Sequence, residues 1–322
     1  MGFDINTRLL MLFIAILLIL ILPTGCSEKD PQVLIPREQA LPSDAVKITP
    51  ETDIYPPILN SDEFETPVPL STGVNTAGAE DSPFIPYGSD EMFFFWTPDV
   101  RIPAEKQVID NVTGIYLSQR VNGEWQPAAR VMLQDPGKLA LDGCEFVGKE
   151  TIYFCTAREG LTGIHWFSAQ RIGDIWDNWK SADAFFRKDE WETGELHIWK
   201  DELYFHSGRA GGKGGYDIWT ARMKDGSWSD LQNIEAVNTA SNDGWPYITA
   251  DGSELWFNRD DRGYPSLYRS KRVNGGWQAP ELIVSQFAGE PTMDSEGNLY
   301  FVHHYFKDSK MLEADIYIAK KK

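Results

Sequence analysis

Cysteine is scarce in this chain, with three residues among 322, at positions 26, 144 and 155. No Cys-x-x-Cys pair and no zinc-type Cys/His spacing occurs, which argues against a dithiol redox motif or a structural zinc. Positive charge is also short. The 30 Lys and Arg face 48 Asp and Glu, a net charge of -18. No basic patch with interleaved aromatics exists, and a phosphate polyanion needs neutralising cations, so nucleic-acid binding is excluded. The same acidity disfavours insertion of the domain into an anionic membrane. No Asp-x-Asp-x-Asp-Gly calcium loop is present. The run Gly211-Gly-Lys-Gly-Gly lacks the Gly-Lys-Ser/Thr of a phosphate loop and joins two strands instead.

What is present is a phrase that returns in five places: Thr113-Gly-Ile-Tyr-Leu, Thr162-Gly-Ile-His-Trp, Tyr216-Asp-Ile-Trp-Thr, Tyr264-Pro-Ser-Leu-Tyr and Glu313-Ala-Asp-Ile-Tyr. Aligning Ile115, Ile164, Ile218, Leu267 and Ile316 gives spacings of 49, 54, 49 and 49 residues. A period near 50 with strands but no amphipathic helix predicts a β-propeller. Each unit parses into four strands, with turns at Asn122-Gly, Asp225-Gly and Asn274-Gly before the outermost one. The last unit lacks its outer strand. Phe64-Glu-Thr-Pro-Val-Pro-Leu-Ser resembles the outer strand Trp277-Gln-Ala-Pro-Glu-Leu-Ile-Val and precedes the first inner strand. The expected fold is therefore all-β: one five-bladed propeller over residues 61–322, its last blade closed by an N-terminal strand. Six blades is the competing count, should residues 31–60 contribute more.

The repeat resembles the WD40-like (PD40) repeat of TolB-type propellers and many exported lipoproteins. Asp217-Ile-Trp-Thr-Ala-Arg and Asn242-Asp-Gly-Trp-Pro-Tyr-Ile-Thr-Ala-Asp-Gly are the closest matches. At the N-terminus, Arg8, the apolar run Leu9–Leu22 and Pro23-Thr-Gly-Cys26 have the order of a secretory signal. Gly25-Cys26 resembles a bacterial lipobox, although Pro23 stands where that family has Leu. The resemblance implies a signal peptide over 1–25, lipidation at Cys26 and an outer-membrane-anchored lipoprotein in the cell envelope, periplasmic or surface-exposed. A plain transmembrane anchor, or cleavage without lipidation, is the alternative. Proline density predicts an extended tether over 26–60. Membrane contact is expected through the lipid only.

An acid recurs near the start of each inner strand: Asp81, Asp142, Glu192, Asp243 and Glu290. One reading makes them loop-capping residues of the repeat, accepting backbone N–H groups. The other makes them a site. Asp81-Ser-Pro-Phe-Ile and Glu192-Thr-Gly-Glu195-Leu-His-Ile-Trp-Lys resemble segments of five-bladed arabinanase/xylosidase-type hydrolases. That resemblance implies Asp81 as base, Asp142 as orienting carboxylate and Glu195 or Glu192 as acid. Ser82, Asp142-Gly-Cys and the missing proline in the third segment depart from the family pattern. His165, His197, His206, His303 and His304 are further acid/base candidates, each more simply structural. Cys144 and Cys155 lie across one hairpin, either as a disulfide or as two buried thiols. No cofactor and no metal is expected. The function expected first is non-catalytic binding of a protein or glycan, with glycoside hydrolysis as the alternative.

Overall fold

The computed structural model describes residues 35–186 and 193–322. Its described part is nearly all β, and none of its helices is long and apolar enough to cross a membrane. Four successive strands, each antiparallel to the last, make up one repeat. Ala140–Val147, Thr151–Arg158, His165–Ile172 and Ile175–Ser181 form one four-stranded sheet, and Leu196–Trp199, Glu202–Ser207, Asp217–Lys224 and Ser227–Asn233 form another. Asp243–Ile248, Glu254–Arg259, Ser266–Val273 and Glu281–Ser285 run in a third sheet. The fourth sheet joins Ala79–Phe84, Glu91–Thr97 and Gly114–Val121 to Ala288–Met293, Leu299–Lys307 and Lys310–Ala319, through one parallel bridge between Ala79 and Ala314.

Turn chemistry accounts for the hairpins. Asn122-Gly123, Asp225-Gly226 and Asn274-Gly275 all have positive φ at both residues (53° and 83°, 51° and 78°, 50° and 81°). A two-residue turn matching strand twist needs that conformation, which Asn, Asp and Gly reach most readily. The second strands are buried on both faces, as at Phe93, Phe94, Phe154, Leu255, Trp256 and Phe301. Their rings fill the space between sheets, for example Phe93 against Trp176 at 6.2 Å and Phe64 against Trp256 at 6.0 Å.

Three expectations change or resolve here. In the third strands, Ile115, Trp166, Ile218, Leu267 and Ile316 are the equivalent residues, pairing with Phe95, Cys155, His206, Asn258 and Val302. Ile164 is therefore two residues out of register, and it is 64% exposed. Cys144 and Cys155 are joined as a disulfide. From Ile35 onward, the segment expected as a tether lies on the sheets. Arg37, only 4% exposed, reaches Glu80 at 3.0 Å and the carbonyls of Val74 and Gly73, and sits over the rings of Phe94, Trp96 and Tyr116. Lys47 pairs with Glu313 and Asp315, Asp53 with buried His303 at 2.9 Å, and Ile58–Leu59 adds a strand to Glu281–Ser285. Proline keeps this chain extended, and an extended chain with three charged anchors can lie along a sheet face.

Candidate functional site

Every inner strand carries the same irregularity. Register slips by one residue between Asp81 and Phe84, Gly143 and Phe146, Gly244 and Tyr247, and Gly289 and Thr292. Gly194 N–H donates to the His206 carbonyl while Leu196 pairs with Phe205, which is the same slip. Such bulges re-aim side chains. The bulge residues are Ser82, Cys144, Glu195, Trp245 and Glu290, and four of them, Ser82, Cys144, Trp245 and Glu290, have positive φ of 49° to 54°.

The position before the bulge reads Asp81, Gly143, Gly194, Gly244 and Gly289. A Cβ on Gly194 would run into the His206 ring and one on Gly289 into Asn258, while one on Gly244 or Gly143 would press tightly on His206 or Phe95. Only the first repeat places a side chain in this row. One residue earlier lie Glu80, Asp142 and Asp243, and these are bound into their surroundings. Glu80 accepts from Arg37 and Thr76, Asp142 from Thr156 at 2.6 Å and Arg158 at 3.3 Å, and Asp243 from Arg259 at 2.6 Å and Thr239. The recurring acids expected as one ring thus occupy three different rows. Asp142 and Asp243 belong with Glu80, Asp81 stands alone, and Glu290 is on the bulge. Glu192 lies outside the described residues.

What the bulges gather is a different set. Asp81 is 28% exposed, and its Oδ1 lies 3.4 Å from His304 Nε2. Ser82 N–H donates to Asp81, and the Ser82 hydroxyl donates to Glu195 Oε1 at 2.8 Å. Burial alone would raise Asp81, but hydrogen bonds from His304, Glu290 and the Ser82 amide outweigh it and hold this carboxyl below its ordinary value. Glu290 moves the opposite way. Burial, then the charges of Asp81 and Glu195, push it well above the usual carboxylate range. Glu195 is pushed up to about 8 by burial and by the charge of Asp81, against hydrogen bonds from Ser82 and Trp245. Buried Glu145 is raised well above the usual range, and neither of its oxygens has a partner among the described residues. Asp81, Glu290 and His304 offer ligand atoms within 4.8 Å of one another, a spacing that would also suit a cation. Glu290 Oε2 and His304 Nδ1, both buried, have no hydrogen-bond partner among the described residues, so the set is not closed on itself.

Phe84, Phe146, His197 and Tyr247 follow the bulges and pack together, His197 lying 5.6, 5.1 and 4.9 Å from the other three rings. Tyr87 caps them, its hydroxyl 2.6 Å from His197 Nε2. Burial drives His197 down to about 3 and His206 to about 4, so both are neutral structural groups. His165 is bound to Asp183 and His303 to Asp53. Among the five histidines, only His304 joins the acids. The loop at Gly211–Gly215 is pinned rather than free, with Lys213 and Gly214 amides on Asp217 and no room for a side chain at Gly214. Beside Ser82 and Glu195 opens a cleft of about 670 Å³, bounded by Phe95, Leu141, Leu161, Ile164 and the disulfide. Of Glu145, Trp245, Glu290 and His304, only Trp245 and Glu290 share the hint that marks Ser82, a proline directly after the bulge residue.

No family model matches this chain, and no curated protein matches it. Solved structures do. "Bacteroides ovatus Xyloglucan PUL GH43B" is 12% identical with TM-score 0.48, covering 79% of this chain and 54% of its own. The endo-arabinase from Bacteroides thetaiotaomicron is 14% identical with TM-score 0.48, covering 81% and 98%. TolB from Acinetobacter baumannii is 12% identical with TM-score 0.41, covering 78% and 56%. This chain therefore spans little more than half the length of the first and the last of these. At such identities the likeness concerns the fold alone.

Proposed function

We propose that this chain is a glycoside hydrolase built on a five-bladed propeller, exported as a lipid-anchored protein of the cell envelope. What supports five blades is the run of five bulged inner strands, with Val68–Pro69 paired to Lys310–Ala319 as the outer strand of the last. Export and lipidation at Cys26 are read from the sequence before residue 35. The observation that carries the activity is the pair Asp81 and Glu195, joined through Ser82 and shifted in opposite directions, with Ser82 and Glu195 lining a cleft. Environments that push two carboxyls apart assign an acid and a base. Glu195 gives its proton to the glycosidic oxygen as the bond to the anomeric carbon breaks. Asp81 takes a proton from the water that adds to that carbon. Glu290 and His304 keep Asp81 ionised and oriented.

The test is product release from a panel of plant, algal and microbial glycosides. The wild type should release sugar, while E195Q and D81N should each lose about 10²–10⁴-fold in rate. Release that survives in both variants would refute the assignment. A second reading, non-catalytic recognition of a glycan or protein, is favoured by Asp142. The residue that the hydrolase resemblance makes an orienting carboxylate is spent on Thr156 and Arg158. Binding without release, unchanged in E195Q, would support that reading instead.

A further inference from the structure

The cleft beside Glu195 differs from the acid-lined site it adjoins. Its walls are Phe95, Val108, Leu139, Leu141, Leu161 and Ile164, with the Cys144–Cys155 disulfide between them. Leu161 and Ile164 stand at the rim, 44% and 64% exposed. Arg158 is the single cation among its described lining residues, and its Nε and Nη2 are engaged. It donates to the Leu133 carbonyl at 2.6 Å, to Thr156 and to Asp142, and lies 4.5 Å over the Phe167 ring. Glu105 and Glu159 add negative charge to the rim, the latter partnered by Lys138 at 2.8 Å.

An acid catalyst faces the leaving group, because that is where it delivers its proton. Space on the Glu195 side of the site is therefore leaving-group space. Its volume suits a group of small-molecule size. Its apolar walls gain from burying hydrocarbon, while Ser82, Thr156, Asp142 and Arg158 on its lining are already bonded within the protein and offer less to the ring of hydroxyls that a sugar presents. An anion would meet four carboxylates, Glu105, Asp142, Glu159 and Glu195, against one cation already paired with Asp142. We infer that this cleft is a subsite for an uncharged, apolar group, so the substrates are glycosides with alkyl, alicyclic or aryl aglycones rather than chains of unmodified sugar. This inference rests on Glu195 as acid for the word aglycone. The apolar subsite itself stands on the cleft.

Two measurements separate these. The first compares cyclohexyl and methyl glycosides of the same sugar, whose alcohols differ little in acidity. kcat/KM should favour cyclohexyl by about tenfold or more. Leu161→Glu and Ile164→Glu, both at the exposed rim, should remove most of that preference and leave the methyl glycoside unaffected. The second follows 1-naphthol binding to the wild-type protein by fluorescence, with 1-naphthoate as the charged counterpart. One saturable naphthol site, weakened about tenfold in the two rim variants and closed to naphthoate, is expected. Equal turnover of cyclohexyl and methyl glycosides would overturn the inference while leaving the hydrolase reading in place. Naphthol binding without turnover of any glycoside would uphold the apolar subsite and overturn the hydrolase reading. Absence of saturable naphthol binding would overturn the subsite.

Discussion

Arg37→Met should be among the most destabilising single changes in this protein, although residue 37 lies in a proline-rich stretch outside the repeats. The guanidinium donates to Glu80, Val74 and Gly73, and it fills the space over Phe94, Trp96 and Tyr116. Methionine keeps much of the packing and none of the donors. Glu80, fully buried, is then left with Thr76 alone. Breaking a buried pair by removing one partner costs about 3–5 kcal/mol. The loss should depend on pH. Burial already lifts Glu80 to about 8 against the charge of Arg37, and without Arg37 it rises further. A carboxyl with a raised folded pKa favours the fold below its unfolded value, and that contribution is lost as pH rises through the folded one. The deficit should therefore be flat between pH 5 and 7, where folded Glu80 is protonated with or without Arg37, and should grow as pH rises past 8, so that it is clearly larger at pH 9.5 than at pH 6. Urea unfolding followed by tryptophan fluorescence at both pH values measures it. R37M/E80L, which replaces both charges, should recover most of the loss. A deficit under about 1 kcal/mol at pH 9.5, or one equal at pH 6 and 9.5, would refute the assignment of Arg37 as a buried anchor.

Other outcomes follow from the site. kcat/KM should fall as pH rises through about 8, where Glu195 loses its proton, and should hold into the acid range, because Asp81 stays ionised below its ordinary value. E195Q should abolish the basic limb of that profile. Replacing both cysteines by serine removes a cross-link of sequence separation 11, worth about 2–3 kcal/mol by chain entropy, and should lower Tm as reductant does in the wild type. Gly194→Ala would drive a methyl group into the His206 ring. His206 accepts the Trp245 amide, so the change should displace both bulges and cost more than tenfold in rate; a near-normal rate would show that the bulges do not hold the site.

The strands and hairpins of this fold were legible because their chemistry is local. Asn-Gly and Asp-Gly turns demand positive φ, and Ile115, Ile218, Leu267 and Ile316 mark buried third strands at a steady interval. The second repeat broke that interval because Trp166 takes the buried place, and the matching phrase Thr162-Gly-Ile drew Ile164 into it. Asp81 and Glu195 were readable as candidates from their surrounding segments. Their company was not. A bulge advances one strand by a single residue, so acids that look equivalent in sequence, Asp81, Asp142, Asp243 and Glu290, fall in different rows, and Glu145 arrives from outside any shared motif. The anchoring of residues 35–60 was hidden for a related reason. Proline density reports local extension, while Arg37, Lys47 and Asp53 find partners tens to hundreds of residues away.

The pairing of residues 63–70 with 316–322 also constrains the order of events during folding. Glu65 N–H donates to the Lys320 carbonyl, Lys322 N–H to Glu63, and Val68 lies opposite Ile318. Lys321 and Glu63 meet across a separation of 258 residues, and closing so long a loop costs about 5 kcal/mol of chain entropy. Those first residues must wait, unpaired, until the last strand has been made. During that interval the exposed edge of Lys310–Ala319 and its missing partner are both open to other chains. Folding here is therefore gated by the arrival of the C-terminal strand, and a truncation beyond residue 310 should produce aggregation rather than a smaller folded domain.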